Sequence, residues 1–175
     1  GERSWLLDNP KDMLSLEHRN IGCDLTSILD DRVSRTPWLM YVFHRVGQLL
    51  NGEKTIIMLD EGWKLLDDPA FSAKIKDWMK TIRKQNGLLG FGTQSPRDAL
   101  GSSVGDTIIE QSPTQIFFPN ARATEKDYCE GFGLSRHELK IIRELTPASR
   151  GFLLRHGTAS VIARLNLAGM EDFIA

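Results

Sequence analysis

The chain has 175 residues, of which 41% are hydrophobic and 26% charged, a composition typical of one globular domain and one that excludes a disordered chain. Its 22 Lys and Arg residues nearly balance 23 Asp and Glu residues, so the net charge gives no argument for binding nucleic acid or an anionic membrane. No apolar run approaches the length of a membrane span and no signal-peptide pattern opens the sequence, so we expect any membrane contact to come through partners or further sequence.

Two further features concern the setting of the protein. The two cysteines, Cys23 and Cys129, lack the spacing of metal ligands and are too few for a disulfide framework. They favour a reducing compartment and predict thiols in or near the core. The chain begins at Gly1 rather than at a Met, and we therefore expect it to be a piece of a longer protein.

The first predicted elements in the chain are short. The segment Asn20 to Leu25 predicts a strand, and Thr26 to Asp31 predicts a single helical turn after it. Asp24 lies near the end of that strand. An Asp in this position is more often a turn or cap residue than a site residue, and we interpret Asp24 in that way.

The first long helix is predicted from Thr36 to Leu50. Thr36 suits the N-cap, Pro37 suits the first helical position, and Asn51-Gly52 supplies the stop. Apolar side chains recur every three or four residues and predict one broad packed face: Trp38, Leu39, Val42, Phe43, Val46, Leu49 and Leu50.

A near-match to a phosphate-binding loop follows this helix. Gly47, Gly52, Lys54 and Thr55 follow the pattern G-x-x-x-x-G-K-[ST], except that Glu53 is inserted before the Lys. A phosphate loop comes after a strand and opens a helix, so that backbone N–H groups face the phosphates. Here a helix precedes and a strand follows, so we reject this match, and no other stretch of the sequence fits the pattern.

An apolar run that ends in two carboxylates is the most informative stretch of the chain. Thr55 to Leu59 predicts a strand covered on both faces, and ligands of α/β sheets bind beyond the carboxyl ends of such strands. Asp60 and Glu61 lie there. In P-loop NTPases such an Asp helps to hold Mg²⁺, and a following Glu can polarise the attacking water. Taken alone, the string is equally compatible with Asp60 capping a turn and Glu61 being solvated.

A second helix is predicted from about Ala70 to Gln85. Its apolar stripe consists of Phe71, Ile75, Trp78, Met79 and Ile82. Arg83 and Lys84 fall in the last turn before Asn86-Gly87, where cations complement the helix dipole. That placement alone is sufficient to explain Arg83.

The next strand is predicted from Leu88 to Thr93, with two glycines that permit close packing. It ends at Gln94. Beside the strand that ends in Asp60, a Gln in this position can hydrogen-bond a γ-phosphate or the attacking water, although a single Gln is weak evidence.

The rest of the chain continues to alternate helices and strands. Ser135 and Glu138 have capping-box spacing, which predicts a well-defined helix start. The predicted elements are helices at Gly105 to Gln111, Thr124 to Phe132 and Ser135 to Leu145, a strand at Thr114 to Phe118, a β-hairpin from Gly151 to Leu165, and a tail or helix from Asn166 to Ala175. We find no repeat or linker, and predict one domain over residues 1–175.

Taken together, these residues resemble the C-terminal ATPase domain of the type IV secretion and conjugation ATPases, the CagE/TrbE/VirB-four family. The resemblance covers nearly the whole chain. It is carried by Asp24-Leu25-Thr26, Tyr41-Val42-Phe43-His44-Arg45, Ile57-Met58-Leu59-Asp60-Glu61-Gly62-Trp63-Lys64-Leu65-Leu66, Arg83-Lys84-Gln85-Asn86-Gly87, Thr93-Gln94-Ser95-Pro96, Pro119-Asn120 and Ser149-Arg150-Gly151-Phe152-Leu153-Leu154. The Asp-Glu-x-Trp-Lys-Leu-Leu string is the most specific of these.

The resemblance implies an α/β fold with a RecA-like P-loop NTPase core, a mostly parallel sheet flanked by helices, and a C-terminal β-hairpin. It implies ATP and Mg²⁺ as cofactors, with Asp60 coordinating Mg²⁺ through water. Glu61 would orient or deprotonate the attacking water, and Gln94 would sense the γ-phosphate. It also implies an Arg acting in trans on a neighbouring subunit, with Arg83 as the first candidate and Arg97 and Arg150 behind it.

The family's phosphate-binding loop is absent from these residues. The resemblance therefore implies a C-terminal fragment of a motor ATPase that powers type IV secretion or conjugation, and we expect the fragment alone neither to bind ATP tightly nor to hydrolyse it. The intact protein would be a homo-oligomer, a hexamer or a dimer, at the cytoplasmic side of the bacterial inner membrane. Its partners would be companion ATPases and inner-membrane subunits, with DNA as a further candidate.

Two alternatives remain open at this point. The first is a docking module that binds other secretion components or DNA and retains idle ATPase motifs. The second is a related DNA-pumping ATPase, against which the near-neutral charge argues only weakly, because a few cations lining a pore can grip DNA.

Overall fold

The structure is a computed structural model that describes residues 4, 8, 10–12, 14–28, 30–66 and 68–170. The chain divides into two compact units, residues 1–105 and residues 106–175. The expectation of a single domain over the whole chain stays a prediction.

The first unit contains the long helix α1, which spans Arg32–Leu49. The predicted N-cap is wrong by a little over one turn. Asp31 caps the helix, since its carboxylate accepts from the backbone N–H of Val33 at 3.1 Å and from the hydroxyl of Ser34 at 2.6 Å. Pro37 consequently lies inside the helix, where it cannot donate to the carbonyl of Val33.

Helix α2 spans Pro69–Thr81 and continues as a 3₁₀ turn over Ile82–Gln85, which confirms the predicted element. Its N-cap is Asp68, whose carboxylate accepts from the backbone N–H groups of Ala70 and Phe71 at 3.0 and 3.3 Å. The hydroxyl of Thr36, predicted to cap α1, donates to this same carboxylate. The contact therefore ties α1 to the start of α2.

Asp68 is buried. Burial by itself raises the pKa of its carboxyl group. Hydrogen bonds from Thr36, Phe71 and Ala70, with the nearby charge of Arg35, outweigh that effect and hold the pKa below its ordinary value.

Two parallel strands form the sheet of the first unit. Strand β1 spans Thr55–Asp60 and β2 spans Gly87–Gly92, both close to the predicted limits. They pair in register from Thr55 opposite Gly87 to Asp60 opposite Gly92. The chain reverses direction at Asn86, which has a positive φ of 58° and directly precedes β2. This agrees with the stop predicted from Asn86-Gly87.

Within the residues that the structure describes, β1 is covered on one face only, so the prediction that it is covered on both faces is wrong for this chain. Its side chains alternate between partly covered and exposed, and the exposed fractions reach 70% at Ile56 and 64% at Met58. Leu88, which pairs with Ile56, is 54% exposed on the same face. The apolar run reflects a strand with one open apolar face, and the length of such a run does not distinguish the two cases.

Two short helices follow β2. Helix α3 spans Pro96–Gly101 and is capped by Ser95, and helix α4 spans Gly105–Gln111, which confirms that predicted element. Helix α4 belongs to the second unit except for its first residue. The core of the first unit gathers side chains from α1, α2, α3 and the turns that follow them and β1: Leu39, Phe43, Leu50, Trp63, Leu65, Leu66, Phe71, Ile75, Trp78, Ile82 and Ala99.

The second unit is organised on a three-stranded antiparallel sheet of β3 (Thr114–Phe117), β4 (Gly151–His156) and β5 (Ala159–Arg164), in the order β3-β4-β5. The predicted hairpin is confirmed, with Gly157 at a φ of 60° in its turn. The prediction of a mostly parallel sheet holds for β1 and β2 only. Strand β3 pairs with the hairpin, because antiparallel pairing aligns the apolar residues Ile116 and Phe117 with Leu154 and Leu153 of β4.

Helices pack on one face of this sheet. A π-helical segment spans Lys126–Gly131, within the predicted 124–132 helix, and α5 spans Arg136–Glu144. The capping box is present as predicted, since the Ser135 hydroxyl and the Glu138 carboxylate each accept a backbone N–H of the other residue, at 3.2 and 2.8 Å. The core is formed by Phe117, Ala123, Tyr128, Leu134, Leu139, Ile142 and Leu153.

The predictions for residues 20–25 and 166–175 have different outcomes. Residues 21–25 form no strand, so that prediction is wrong, and Cys23 is exposed rather than in the core. Asp24 is a turn residue as predicted, because its carboxylate accepts from the backbone N–H and the hydroxyl of Thr26 at 2.9 and 2.6 Å. The predicted tail or helix has no helix over 166–170, and residues 171–175 lie outside the described residues.

Candidate functional site

The parallel pairing of β1 and β2 brings their carboxyl ends together. Asp60 is the last residue of β1 and pairs with Gly92, the last residue of β2. Glu61 follows the first strand directly, and Gln94 follows the second by two residues. The predicted site residues Asp60, Glu61 and Gln94 therefore lie at one edge of the sheet, where ligands of parallel sheets bind.

Glu61 turns the chain sharply at this edge. Its backbone has φ 50° and ψ 27°, the left-handed conformation that residues other than Gly rarely adopt. Its backbone N–H donates to the carbonyl of Gly92 at 3.0 Å, one step beyond the regular ladder. Its carboxylate Oε1 accepts the backbone N–H of Gln94 at 3.0 Å. Glu61 is thus bonded to the end of β2 by both its backbone and its side chain.

Asp60 depends on the absence of a side chain opposite it. A Cβ on Gly92 would lie 2.8 Å from Oδ1 of Asp60, closer than such atoms approach in proteins. The glycine therefore leaves room for the carboxylate to lie over the end of β2. The sequence predicts that the glycines of this strand permit close packing, but only the strand register places Gly92 opposite Asp60.

The loop that carries Gln94 is fixed on both sides of that residue. The hydroxyl of Thr93 accepts the backbone N–H of Ser95 at 3.0 Å, and the hydroxyl of Ser95 accepts the backbone N–H of Asp98 at 3.3 Å, which caps α3. Gln94 itself is exposed. The loop thus holds the backbone of Gln94 against Glu61 while its side chain faces solvent.

The three candidate arginines lie on three different elements. Arg83 is exposed in the 3₁₀ turn before β2, at the amino end of that strand. A six-residue strand separates it from Gly92, roughly 17–20 Å of extended chain. Arg97 is exposed at the start of α3, close in sequence to Gln94. Arg150 belongs to the second unit, where it precedes β4 with a φ of 52°.

The side chains at the strand ends offer exposed oxygen atoms to a metal ion. Asp60 and Glu61 are exposed carboxylates, and their oxygen atoms together with the Gln94 amide oxygen are of the type that Mg²⁺ and its bound water accept. Within the part of the chain that the structure describes, no group of three or more His, Cys, Asp and Glu side chains is placed to hold a metal ion. Among the same residues, no helix is both long and apolar enough to cross a membrane.

Residues 1–149 match the family model of the TraG P-loop domain. The chain belongs to the TraG P-loop domain family. The family name refers to a phosphate-binding loop, and the site described above lies at the carboxyl ends of β1 and β2.

Curated relatives of this TraG P-loop domain chain come from type IV secretion systems. The chain is 51% identical over 176 residues to the type IV secretion system protein VirB4 of Bartonella henselae, covering 100% of this chain and 22% of that protein. It is 40% identical over 172 residues to the type IV secretion system protein PtlC of Bordetella pertussis, covering 98% of this chain and 21% of that protein. The chain therefore spans about a fifth of the length of these relatives.

A solved structure supports the fold. The structure of VirB4 of Thermoanaerobacter pseudethanolicus superposes with a TM-score of 0.68 at 19% sequence identity, covering 86% of this chain and 42% of that chain. At this level of identity the similarity concerns the fold alone. It agrees with the α/β, P-loop NTPase-like fold that the resemblance implies.

Proposed function

We propose that this chain is the C-terminal part of the RecA-like domain of a motor ATPase that powers type IV secretion, including assembly of the channel and pilus and transfer of substrate. One observation carries the proposal: the backbone amide of Gln94 is hydrogen-bonded to the carboxylate of Glu61, beside Asp60, at the carboxyl ends of two parallel strands. The secretion proteins that share 40–51% of its residues support the cellular process.

The arrangement suits hydrolysis of a phosphoanhydride. In that reaction a water oxygen bonds to the γ-phosphorus, the bond from that phosphorus to the ADP oxygen breaks, and ADP and phosphate result. Glu61 would accept the proton of the attacking water, because its carboxylate is exposed and fixed in direction by the Gln94 amide. The Gln94 side chain, exposed beside it, would hydrogen-bond the γ-phosphate or the same water.

The residues also fit the metal side of a nucleotide site. Asp60 would hold Mg²⁺ through water, since Gly92 leaves its carboxylate uncrowded at the edge of the sheet. Bound Mg²⁺ supplies charge neutralisation of the phosphates. The pattern G-x-x-x-x-G-K-[ST], which marks the phosphate-cradling half of such a site, does not occur in the sequence.

We further propose that the phosphate-binding loop belongs to polypeptide outside these 175 residues, and that both compact units are part of the same ATPase domain. The open face of β1 and β2 supports this division. Ile56, Met58 and Leu88 are exposed there, and Asp60 ends the same face. A sheet face of this kind is normally covered by another layer of the domain, which here would approach Asp60 directly.

The remaining aspects of the proposal concern the whole protein. It would act as a homo-oligomer, a hexamer or a dimer, on the cytoplasmic side of the bacterial inner membrane. Companion ATPases and inner-membrane subunits of the secretion system would be its partners, with DNA as a further candidate. In such an oligomer Arg83, or else Arg97 or Arg150, would complete the site of a neighbouring subunit.

A docking module with idle ATPase motifs is the second candidate, favoured by one observation in the second unit. The face of its sheet that carries Ile116, Phe118 and Val161 is apolar, and these side chains are 52–69% exposed. A contiguous exposed apolar patch is typical of an interaction surface.

One substitution in the full-length protein separates the two candidates. We expect Glu61→Gln to lower ATP turnover by about a hundredfold or more and to abolish secretion while ATP binding is retained, because only the proton acceptor is removed. Glu53→Gln, an exposed carboxylate before the amino end of β1, is the matched control and should change neither. Unchanged turnover and secretion in Glu61→Gln would leave only the docking candidate.

The isolated chain provides the test of the divided site. Titration with Mg²⁺ and ATP in a calorimeter should show no binding in the micromolar range and no turnover, because the phosphate-binding half is missing. Micromolar binding with turnover by these 175 residues alone would overturn the division proposed here.

A further inference from the structure

The position of the Glu61 carboxylate depends on a backbone conformation that Glu61 cannot maintain by itself. With φ 50° and ψ 27°, Glu61 is in the left-handed region, which is unfavourable for a residue with a side chain. Its own side chain is exposed, so burial of that side chain does not stabilise the turn. Neighbouring structure must therefore hold it.

The segment after Glu61 is anchored in the core. A 3₁₀ helix spans Gly62–Leu65, and its large side chains are buried, with exposed fractions of 8% at Trp63 and 4% at Leu65. The carbonyl of Leu66, which is 2% exposed, accepts the hydroxyl of Ser103 at 3.2 Å. The chain is thus fixed within two residues of Glu61 on its carboxyl side.

Trp63 also contacts the strand to which Glu61 is bonded. Its ring lies 5.8 Å from the ring of Phe91, centroid to centroid, at 34°. Phe91 immediately precedes Gly92, whose carbonyl accepts the Glu61 N–H. Phe91 lies one residue before Gly92, and Trp63 lies two residues after Glu61. The contact between the two rings therefore joins the end of β2 to the turn after β1.

We propose that Trp63 is a positioning residue, which, through its contact with Phe91, holds Glu61 in the left-handed turn that aims its carboxylate at Gln94 and at the attacking water. The inference rests on the proposed function for its catalytic consequence. Its structural part concerns only the bond between Gln94 and Glu61, and it can be measured without activity.

The ring of Trp63, and not its N–H group, carries this role. The indole N–H is buried and finds no acceptor among the described residues. Removing an unsatisfied donor while keeping an aromatic ring costs little, so Trp63→Phe should preserve the turn. Trp63→Leu keeps an apolar side chain of smaller size but removes the ring contact with Phe91.

The first arm of the test measures the Gln94 backbone amide in this chain by NMR. Glu61→Ala gives the chemical shift and hydrogen-exchange rate of the amide without its acceptor. Trp63→Leu should shift the Gln94 amide resonance toward that of Glu61→Ala. Its hydrogen exchange should become about tenfold faster or more, because a larger fraction of molecules has the bond between Gln94 and Glu61 broken. Trp63→Phe should leave the amide in place.

Trp78→Leu is the matched control for loss of a buried tryptophan. Trp78 is 2% exposed in α2, and its ring lies 4.8 Å from that of Phe43 in α1. Trp78→Leu should lower the free energy of unfolding, as Trp63→Leu does, but should leave the chemical shift and the exchange rate of the Gln94 amide unchanged. If Trp63→Leu does not fold, Phe91→Leu removes the same ring contact from the other strand and should give the same amide shift.

The second arm uses the full-length protein. Trp63→Leu should lower kcat about tenfold or more and change the KM for ATP less than twofold. The separate variant Trp63→Phe, which keeps an aromatic ring, should have a kcat close to the native value. Equal losses of kcat in Trp63→Leu and Trp78→Leu, or an unmoved Gln94 amide in both Trp63→Leu and Phe91→Leu, would overturn the inference. If instead Glu61→Gln leaves turnover intact, the proposed function fails, while the amide measurement still decides the positioning role.

Discussion

Glu61 and Gln94 lie 33 residues apart in sequence, yet the carboxylate of the first accepts the backbone N–H of the second at 3.0 Å. The bond exists because β1 and β2 are parallel and end in register at Asp60 and Gly92. A residue proposed to activate water is therefore fixed by the loop proposed to sense the γ-phosphate. A shift of that loop would therefore directly change the position of the Glu61 carboxylate.

Gly92→Ala should impair the site without unfolding the protein. Its Cβ would meet Oδ1 of Asp60 at 2.8 Å, and the exposed carboxylate would move aside at little cost in stability. We expect the free energy of unfolding of this chain to change by less than about 1 kcal/mol. In the full-length protein, ATP turnover should fall about tenfold or more and require more Mg²⁺.

Gly90→Ala is the control for that substitution. A Cβ at Gly90 would meet the Sδ atom of Met58, the far end of a flexible side chain that can change rotamer even where another layer of the full-length domain covers this face. Turnover of this variant should remain within about twofold of the native value. Equal losses in the two variants would show that the strand, and not the Asp60 carboxylate, is the sensitive element.

Arg83→Ala tests the role in trans. Because Arg83 lies at the amino end of β2, a full strand from Gly92, it is not placed to reach the site of its own chain. We expect Arg83→Ala in the full-length oligomer to lower kcat about a hundredfold or more with little change in ATP affinity. Mixing it with Glu61→Gln subunits should restore part of the turnover, because some interfaces then combine an intact Glu61 with an intact Arg83.

Lys84→Ala is the matched control, since Lys84 is an exposed cation in the same last turn. It should keep native turnover. Loss of turnover in both variants, or no recovery on mixing, would assign Arg83 to the end of the helix alone, where a cation complements the dipole.

Asp68 should make the first unit sensitive to acid. Its folded-state pKa is lowered, so its ionised form stabilises the fold above the unfolded-state pKa, and that contribution is lost as pH falls through the folded-state pKa. We expect a decline below about pH 4. All four tryptophans precede residue 105, so their fluorescence during urea unfolding reports on this unit.

Two variants isolate this contribution. Asp68→Ala should lower the free energy of unfolding by about 2–3 kcal/mol at neutral pH, since it removes the N-cap of α2 and the contact with Thr36 of α1. Asp77→Ala, an exposed carboxylate in the same helix, should cost less than about 0.5 kcal/mol. An unchanged acid profile in Asp68→Ala would contradict the assignment.

Glu138 should stabilise the second unit in the same way. Burial raises the pKa of its carboxyl, but hydrogen bonds from Ser135 and Ser160 and the charge of Arg155 lower it overall, so it is ionised at neutral pH. Glu138→Ala should cost about 2–3 kcal/mol, measured by circular dichroism during urea unfolding. Glu144→Ala in the same helix removes only an exposed pair with Lys140 at 3.7 Å and should cost less than about 0.5 kcal/mol. Equal costs would contradict a buried capping role.

Local sequence patterns predicted most elements of the fold. The strand before Asp60, the Asn-Gly stop before β2, the capping box at Ser135 and the hairpin around Gly157 all lie where the sequence indicates. Each of these depends on residues within a few positions of one another, so periodicity, capping and turn chemistry are sufficient. The start of α1 and the segment Asn20 to Leu25 are exceptions, because Asp31 caps α1 before Thr36 and because the predicted strand at Asn20 to Leu25 does not form.

The sequence by itself determined that two carboxylates follow an apolar strand and that Gln94 follows another. Only the tertiary structure decided that these strands are parallel neighbours, that Gly92 lies opposite Asp60, and that Glu61 is bonded to Gln94 while Arg83 lies at the far end. Strand order and register depend on contacts between distant residues, and no local pattern in Leu88 to Thr93 encodes its partner. The apolar run before Asp60 likewise could not show that one of its faces is open.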